Sequence, residues 1–224
     1  MSQETFAKDT STRTKKEWVQ GLLVLYIGLV IAHLGVSLFL ITDLGADTFT
    51  IFIQGISETI GLTIGTCHVI ALILIMIIML ITTRGYIKPG TFVCAFLGGW
   101  IIDFFLWLFG DSISGDSPFF LRILITLLGC VILSFGMSIV IKSNSGTGPN
   151  DLIAIVLTDT LRKKHSISFR AVRIACDILF TIIGLLLGGI FGLGTIMAAL
   201  IIGPLVQFFL PKSERMIRSI FPTL

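Results

Sequence analysis

Apolar runs broken by short polar segments fill almost the whole chain, and their lengths set the reading. A helix rises 1.5 Å per residue, so a hydrocarbon core of roughly 30 Å is crossed by about 17–25 mostly apolar residues. Six stretches approach or meet that length: Trp18–Ile41, Thr66–Ile81, Gly90–Phe109, Phe119–Ile141, Ile167–Gly188 and Gly194–Leu210. After the first and the fourth comes a polar loop and then a shorter helical pattern. Thr42-Asp43-Leu44-Gly45-Ala46 leads into a helix from near Asp47 to near Gly61. Ser143-Asn144-Ser145-Gly146-Thr147-Gly148 leads into one that Pro149 opens and that runs to about Leu161. Helices of about a dozen residues reach only part of the way across. They either lie on the membrane surface or dip into it; Thr48–Ile53 and Leu152–Leu157 are apolar enough to dip, which favours the re-entrant form.

The two halves repeat one another. Gly35-Val36-Ser37-Leu38-Phe39-Leu40 returns as Gly136-Met137-Ser138-Ile139-Val140-Ile141. Gly90-Thr91 through Asp103-Phe104-Phe105-Leu106 returns as Gly194-Thr195 through Gln207-Phe208-Phe209-Leu210. Matching Gly, Thr and paired Phe in register is not what chance alignment of apolar runs produces. With three spans per copy, the second copy must run inverted through the bilayer, an architecture of secondary transporters. The fold expected is therefore an all-α polytopic membrane protein of six spans and two short helices, a 3+3 inverted repeat. It divides into an N-terminal tail (1–17), a first membrane repeat (18–109), a second (119–210) and a C-terminal tail (211–224).

Composition agrees: 54% of residues are hydrophobic and 13% charged, and the mean hydropathy is +1.01, whereas soluble domains carry about 25% charge. The first run is too long and lacks the small-residue cleavage site of a signal peptide, so it reads as a retained anchor. Placing the N-terminus inside puts Lys8, Arg13, Lys15, Lys16, Arg84, Lys88, Lys142, Arg162, Lys163, Lys164, Lys212, Arg215 and Arg218 on the cytoplasmic side. None then falls in the outer loops 42–65, 110–118 and 189–193. Both termini are thus expected in the cytoplasm of a cell whose inner membrane holds the protein. The net charge of +3 reflects topology and gives no reason to expect a nucleic acid.

Few residues offer chemistry. Arg170, Arg173 and Asp177 share one face of the fifth span, and Arg173 and Asp177 are spaced to pair along it. About 15 Å from the start of that span, Asp177 is a candidate substrate or proton site, or else half of a structural ion pair. Asp103 and Gln207 are repeat mates that line a path or bond a neighbouring helix. Gly146 and Gly148, with Asn150 and Asp151, surround the start of the second short helix, where free amides attract anions. Asp47 reads as a helix cap and Asp43 as a cation or solvent contact. His33, His68 and the four cysteines, Cys67, Cys94, Cys130 and Cys176, read as packing residues, with no metal-type spacing. No phosphate-binding loop, zinc-type His–Glu cluster or nucleophile elbow is present.

Several motifs together resemble the YczE/YyaS/YitT group of bacterial integral membrane proteins, in particular its YczE-like branch. They are Leu44-Gly45 before the short helix, Gly61-Leu62-Thr63-Ile64-Gly65-Thr66, Ile102-Asp103-Phe104, Gly146-Thr147-Gly148-Pro149-Asn150-Asp151, Arg173 with Asp177, Gly188-Gly189, Gly192-Leu193-Gly194-Thr195 and Ile202-Gly203-Pro204. Where similar proteins carry a basic residue between the Pro and the Asp, this chain has Asn150. The resemblance implies a transporter-like layout and no established substrate. The leading expectation is a secondary transporter or exporter of a small solute with its site at the repeat interface. The alternative is a non-transporting scaffold for a cytoplasmic partner, and an embedded enzyme is the weakest reading. The bilayer and a small solute are the expected partners, with homo-oligomerisation open and no cofactor or metal.

Overall fold

A computed structural model describes residues 13–82, 86–110, 117–162 and 168–222. Lys8, Arg84, Lys163, Lys164 and His165, and the side chain of Arg162, lie outside the described residues. The described elements are helical: α1 (Lys15–Thr42), α2 (Thr48–Ile60), α3 (Ile64–Thr82), α4 (Pro89–Phe109), α5 (Phe119–Ser143), α6 (Pro149–Arg162), α7 (Phe169–Leu186) and α8 (Leu193–Ile220). Five of them, α1, α3, α4, α5 and α8, are long and apolar enough to cross a membrane. The fifth expected span, α7, has 18 residues, and its Arg170, Arg173 and Asp177 set it apart from those five.

Local chemistry fixes the ends. Thr14 and Glu17 form a reciprocal cap that starts α1 at Lys15, ahead of the first apolar residue. Asp47 accepts from the Thr50 amide to start α2, and Gly61, left-handed at φ 76°, ends it. Pro89 and Pro149 occupy first helical positions, and Ser168 caps α7 through the Ala171 amide. The last helix does not stop at Leu210. It continues through Pro204 and Pro211 to Ile220, because Ser213 and Ile217 are buried in the fold, Ser213 bonding Ser138 at 2.6 Å and Ile217 packing with Val24 and Ile139.

The centre of the molecule is the antiparallel pair α1 and α5. Glycine recurs on one side of each, Gly28 and Gly35 facing Gly136 and Gly129. A side chain at Gly35 would stand 2.5 Å from the Leu133 amide, and one at Gly136 would press on the Ala32 amide, so backbone meets backbone along this seam. On the flanks, α4 packs on α1 and α8 packs on α5. A second layer holds α2 against α7 and α3, and α6 against α3 and α7. It joins the first layer through α3 on α4, whereas the described residues show no comparable packing of α7 on α8.

Two irregular loops tie the layers together. The Gly194 amide donates to the Leu44 carbonyl at 2.7 Å, and the Gly90 amide to the Ser145 carbonyl at 2.8 Å. An arginine covers the helix end that precedes each loop. Arg122 Nε donates to the Thr42 carbonyl at 2.6 Å, and Arg13 donates to the carbonyls of Ser143 and Asn144 at 3.3 and 3.4 Å. Carbonyls otherwise orphaned at a helix C-terminus are thereby satisfied.

Candidate functional site

The short helices run away from each other, and their N-termini meet halfway along α7. Thr48, the first residue of α2, donates its hydroxyl to Asp177 Oδ1 at 2.9 Å. From there α2 follows the later half of α7: Gly55 packs on Gly184, and Thr59 donates to the Leu187 carbonyl at 3.1 Å. Asp151, in the first turn of α6, takes a hydrogen bond from Arg173 Nη1 at 2.7 Å. The far end of α6 is tethered elsewhere, Tyr86 donating its hydroxyl to Asp159 at 2.7 Å. That bond raises the Tyr86 phenol above its ordinary value and keeps it a donor.

Arg173 joins the two helix starts. Its Nε lies 3.4 Å from Asp177 Oδ2 while its Nη1 holds Asp151. The chain Asp151–Arg173–Asp177–Thr48 thus links α6, α7 and α2 through side chains alone. These three charged side chains are 29–35% exposed, so the cluster is neither sealed nor a surface pair. Asp47 sits beside Thr48 and spends its carboxylate on the Thr50 amide and hydroxyl, at 3.3 and 2.6 Å.

The partial positive charge at a helix N-terminus favours an anion. Here the protein supplies its own, Asp47 at α2 and Asp151 at α6. Two carboxylates, Asp151 and Asp177, therefore bond one guanidinium, and Asp47 lies within its electrostatic reach. Near the α6 start, the buried hydroxyls of Thr91 and Thr147 have no hydrogen-bond partner among the described residues, next to Gly146, whose φ is 143° and which abuts the Thr91 amide.

Of the residues singled out in the sequence, Arg173, Asp177 and Asp151 come together, and Gly148 and Asn150 lie against each other beside them, the Asn150 Oδ1 reaching back over Gly148. Gly146 shapes the loop. Asp103 stands apart and caps α3, accepting from the Thr63 hydroxyl at 2.6 Å and the Gly65 amide at 2.7 Å. Gln207 is exposed on α8, and Arg170 is exposed on α7. Thr48 was not legible as a partner of Asp177, because nothing local to it announces a contact with a residue so distant in sequence. His33 and His68 pack edge to face at 5.4 Å between centroids, beside Phe49, and His33 Nδ1 bonds the Leu29 carbonyl. A groove of about 320 Å³ opens between α2, α3, α6 and α7, and its lining, including Phe52, Ile56, Ile70, Leu74, Ile153 and Phe180, is apolar throughout.

The helices and the charged junction define a multi-pass helical membrane protein with a polar knot at the starts of two short helices. Residues 19–211 match DUF6198, described as a family of unknown function, and the chain belongs to that family. It is 28% identical to the uncharacterised protein YyaS of Bacillus subtilis, over 84% of this chain and 92% of that one. It is equally 28% identical to the uncharacterised membrane protein YczE of Bacillus subtilis, over 91% of each. An uncharacterised protein of Haemophilus influenzae is 27% identical over 84% of this chain and 82% of its own. No solved structure matches the chain.

Proposed function

We propose that the chain is a secondary transporter or exporter of a small solute, with six spans arranged as a 3+3 inverted repeat in a bacterial inner membrane and both termini in the cytoplasm. The observation that carries this reading is the meeting of the α2 and α6 N-termini at Arg173 and Asp177. Opposed half-helices ending at a mid-membrane charged site are the arrangement by which broken-helix transporters hold their cargo. In this reading α7 is the sixth crossing, and α2 and α6 are re-entrant. Asp177 lies near the middle of α7, and Ile51 and Ile53 of α2 have 0% exposure, which a helix lying on a membrane surface does not need.

Reciprocal contacts support the repeat. The Gly35–Leu133 approach mirrors that of Gly136 and Ala32, and the Gly194–Leu44 hydrogen bond mirrors that of Gly90 and Ser145. The charge balance among the described residues favours a cationic solute or protons, because both helix N-termini already hold carboxylates and Arg173 bonds two acids at once. Thr91 and Thr147 add hydroxyls with no partner among the described residues, at the loop that leads into α6.

Purified protein in liposomes tests the proposal. A proton gradient or a panel of small organic and inorganic cations should drive flux, and Asp177→Asn should abolish it while leaving the protein inserted. Absence of flux, of proton movement and of binding across that panel would end the transport reading. The scaffold alternative is favoured by one observation, that the groove of about 320 Å³ is apolar and excludes the charged knot. Pull-down of a cytoplasmic protein that depends on α6 but not on Asp177 would select it.

A further inference from the structure

The two flanking helices carry the same stripe, covered on one and bare on the other. On α4, Ala95, Gly99 and Asp103 recur every fourth residue and so share one face. That face lies under α3. Ala95 has 0% exposure, Gly99 touches the Gly65 carbonyl backbone to backbone, and Val69 rests on it. Asp103 closes the end of the seam by capping Thr63 and Gly65. The matching residues of α8, by the aligned Gly-Thr and Phe-Phe pairs, are Ala199, Gly203 and Gln207, and all three are exposed. Among the described residues, nothing lies within 4 Å of a side chain placed at Gly203.

The bare stripe is not the result of a different seat for α8. Its neighbouring face is held as that of α4 is: Thr195 and Ala198 are buried, as are their mates Thr91 and Cys94. Ser134 donates to the Ile202 carbonyl at 3.4 Å, where the mates His33 and Gly98 also touch. What is missing is α7, the counterpart of α3. Instead α7 leans on α2, with Gly184 against the backbone of Ile51 and Phe52.

We infer that α7 closes onto the Ala199–Gly203–Gln207 stripe of α8 as α3 closes onto Ala95–Gly99–Asp103, so that the α7–α8 gap is a gate at the cytoplasmic side and the α3–α4 seam its shut counterpart outside. The gate rests on the transporter reading for its purpose but not for its test. Closing it brings the start of α7 to Gly203 and covers the approach to Arg173 and Asp177 from that side. Opening the α3–α4 seam in exchange gives the knot access to the opposite face. Small residues on α8 suit this use because a helix can dock and leave without interlocking side chains, and the two packings need differ by only a few kcal/mol.

Disulfide trapping reads the closure directly. In a background with Cys67, Cys94, Cys130 and Cys176 replaced by alanine, Ser168→Cys with Gly203→Cys should form an intramolecular link on oxidation, seen as a joined peptide by mass spectrometry. The pair Thr63→Cys with Asp103→Cys, whose parent side chains touch, reports that the outer seam is intact. Adding Ala199→Leu should remove the 168–203 link while the thermal unfolding midpoint stays put, since that position faces open space. Three outcomes overturn the inference: no 168–203 link while the 63–103 link forms, a link that Ala199→Leu leaves unchanged, or a Gly203→Cys link between two copies, which would assign the stripe to an oligomer contact. If the link forms and no solute is ever moved, the gate stands and the transport reading falls.

Discussion

Asp43 and Asn144 are the two described non-glycine residues with left-handed backbone, at φ 56° and 50°, and each sits one residue past the end of a central helix. Glycine follows two residues later in both cases, Gly45 and Gly146, again with positive φ. The chain thus leaves α1 and α5 by the same turn, each leading through its loop into the next short helix. Asp and Asn tolerate this conformation because a short polar side chain bonds locally.

Replacing either residue by alanine should cost about 1–2 kcal/mol of folding stability through the left-handed penalty, and replacing Asp43 by glycine should cost little or nothing. Chemical unfolding of the purified protein in detergent checks the order at Asp43, Gly at least equal to parent, both above Ala. At Asn144, whose Oδ1 also accepts from Lys88 Nζ at 3.1 Å, both replacements should cost more than at Asp43.

The α1–α5 seam makes a second paired prediction. Gly35→Leu and Gly136→Leu each drive a side chain into opposing backbone, so each should lower stability by about 1–3 kcal/mol or more, as overpacking does. Gly203→Leu, placed in open space, should leave stability unchanged in the same assay. Equal tolerance at all three positions would contradict the packing described.

At the junction, Arg173→Gln should harm the protein more than Asp177→Asn. It takes from Asp151 and Asp177 the guanidinium that bonds both, at a cost of about 2 kcal/mol once the partial exposure of the group is allowed for. The double variant Arg173→Gln with Asp177→Asn should recover part of that stability and none of the flux. A double-mutant cycle with no coupling energy between the two would remove the pair from the site.

How far the sequence reaches is plain from particular residues. Asp47, Pro149, Gly61 and the Arg173–Asp177 spacing are local signals, and each does in the structure what its neighbours in sequence require. The apolar run ends at Leu210, where Pro204 and Pro211 imitate a stop, while burial of Ser213 and Ile217 carries the helix on to Ile220. Periodicity placed Arg170 with Arg173, yet only Arg173 turns toward Asp151. Of the two roles open to Asp103 in the sequence, lining a path or bonding a neighbouring helix, the contacts with Thr63 and Gly65 are of the second kind, and Thr48 gives no sign of meeting Asp177. These are contacts between segments far apart in sequence, and no local pattern encodes them.

The proposed site requires that α2 and α6 approach the knot from opposite membrane faces. Glu58, near the end of α2, and Thr160, near the end of α6, are both exposed. Glu58→Cys and Thr160→Cys, each in a cysteine-free background and probed in intact cells with a membrane-impermeant thiol reagent, should behave oppositely. Glu58→Cys reacts from outside, and Thr160→Cys reacts only after the cells are opened. Labelling of both positions from the same side would contradict the inverted repeat, and with it the opposed half-helices on which the proposed site depends.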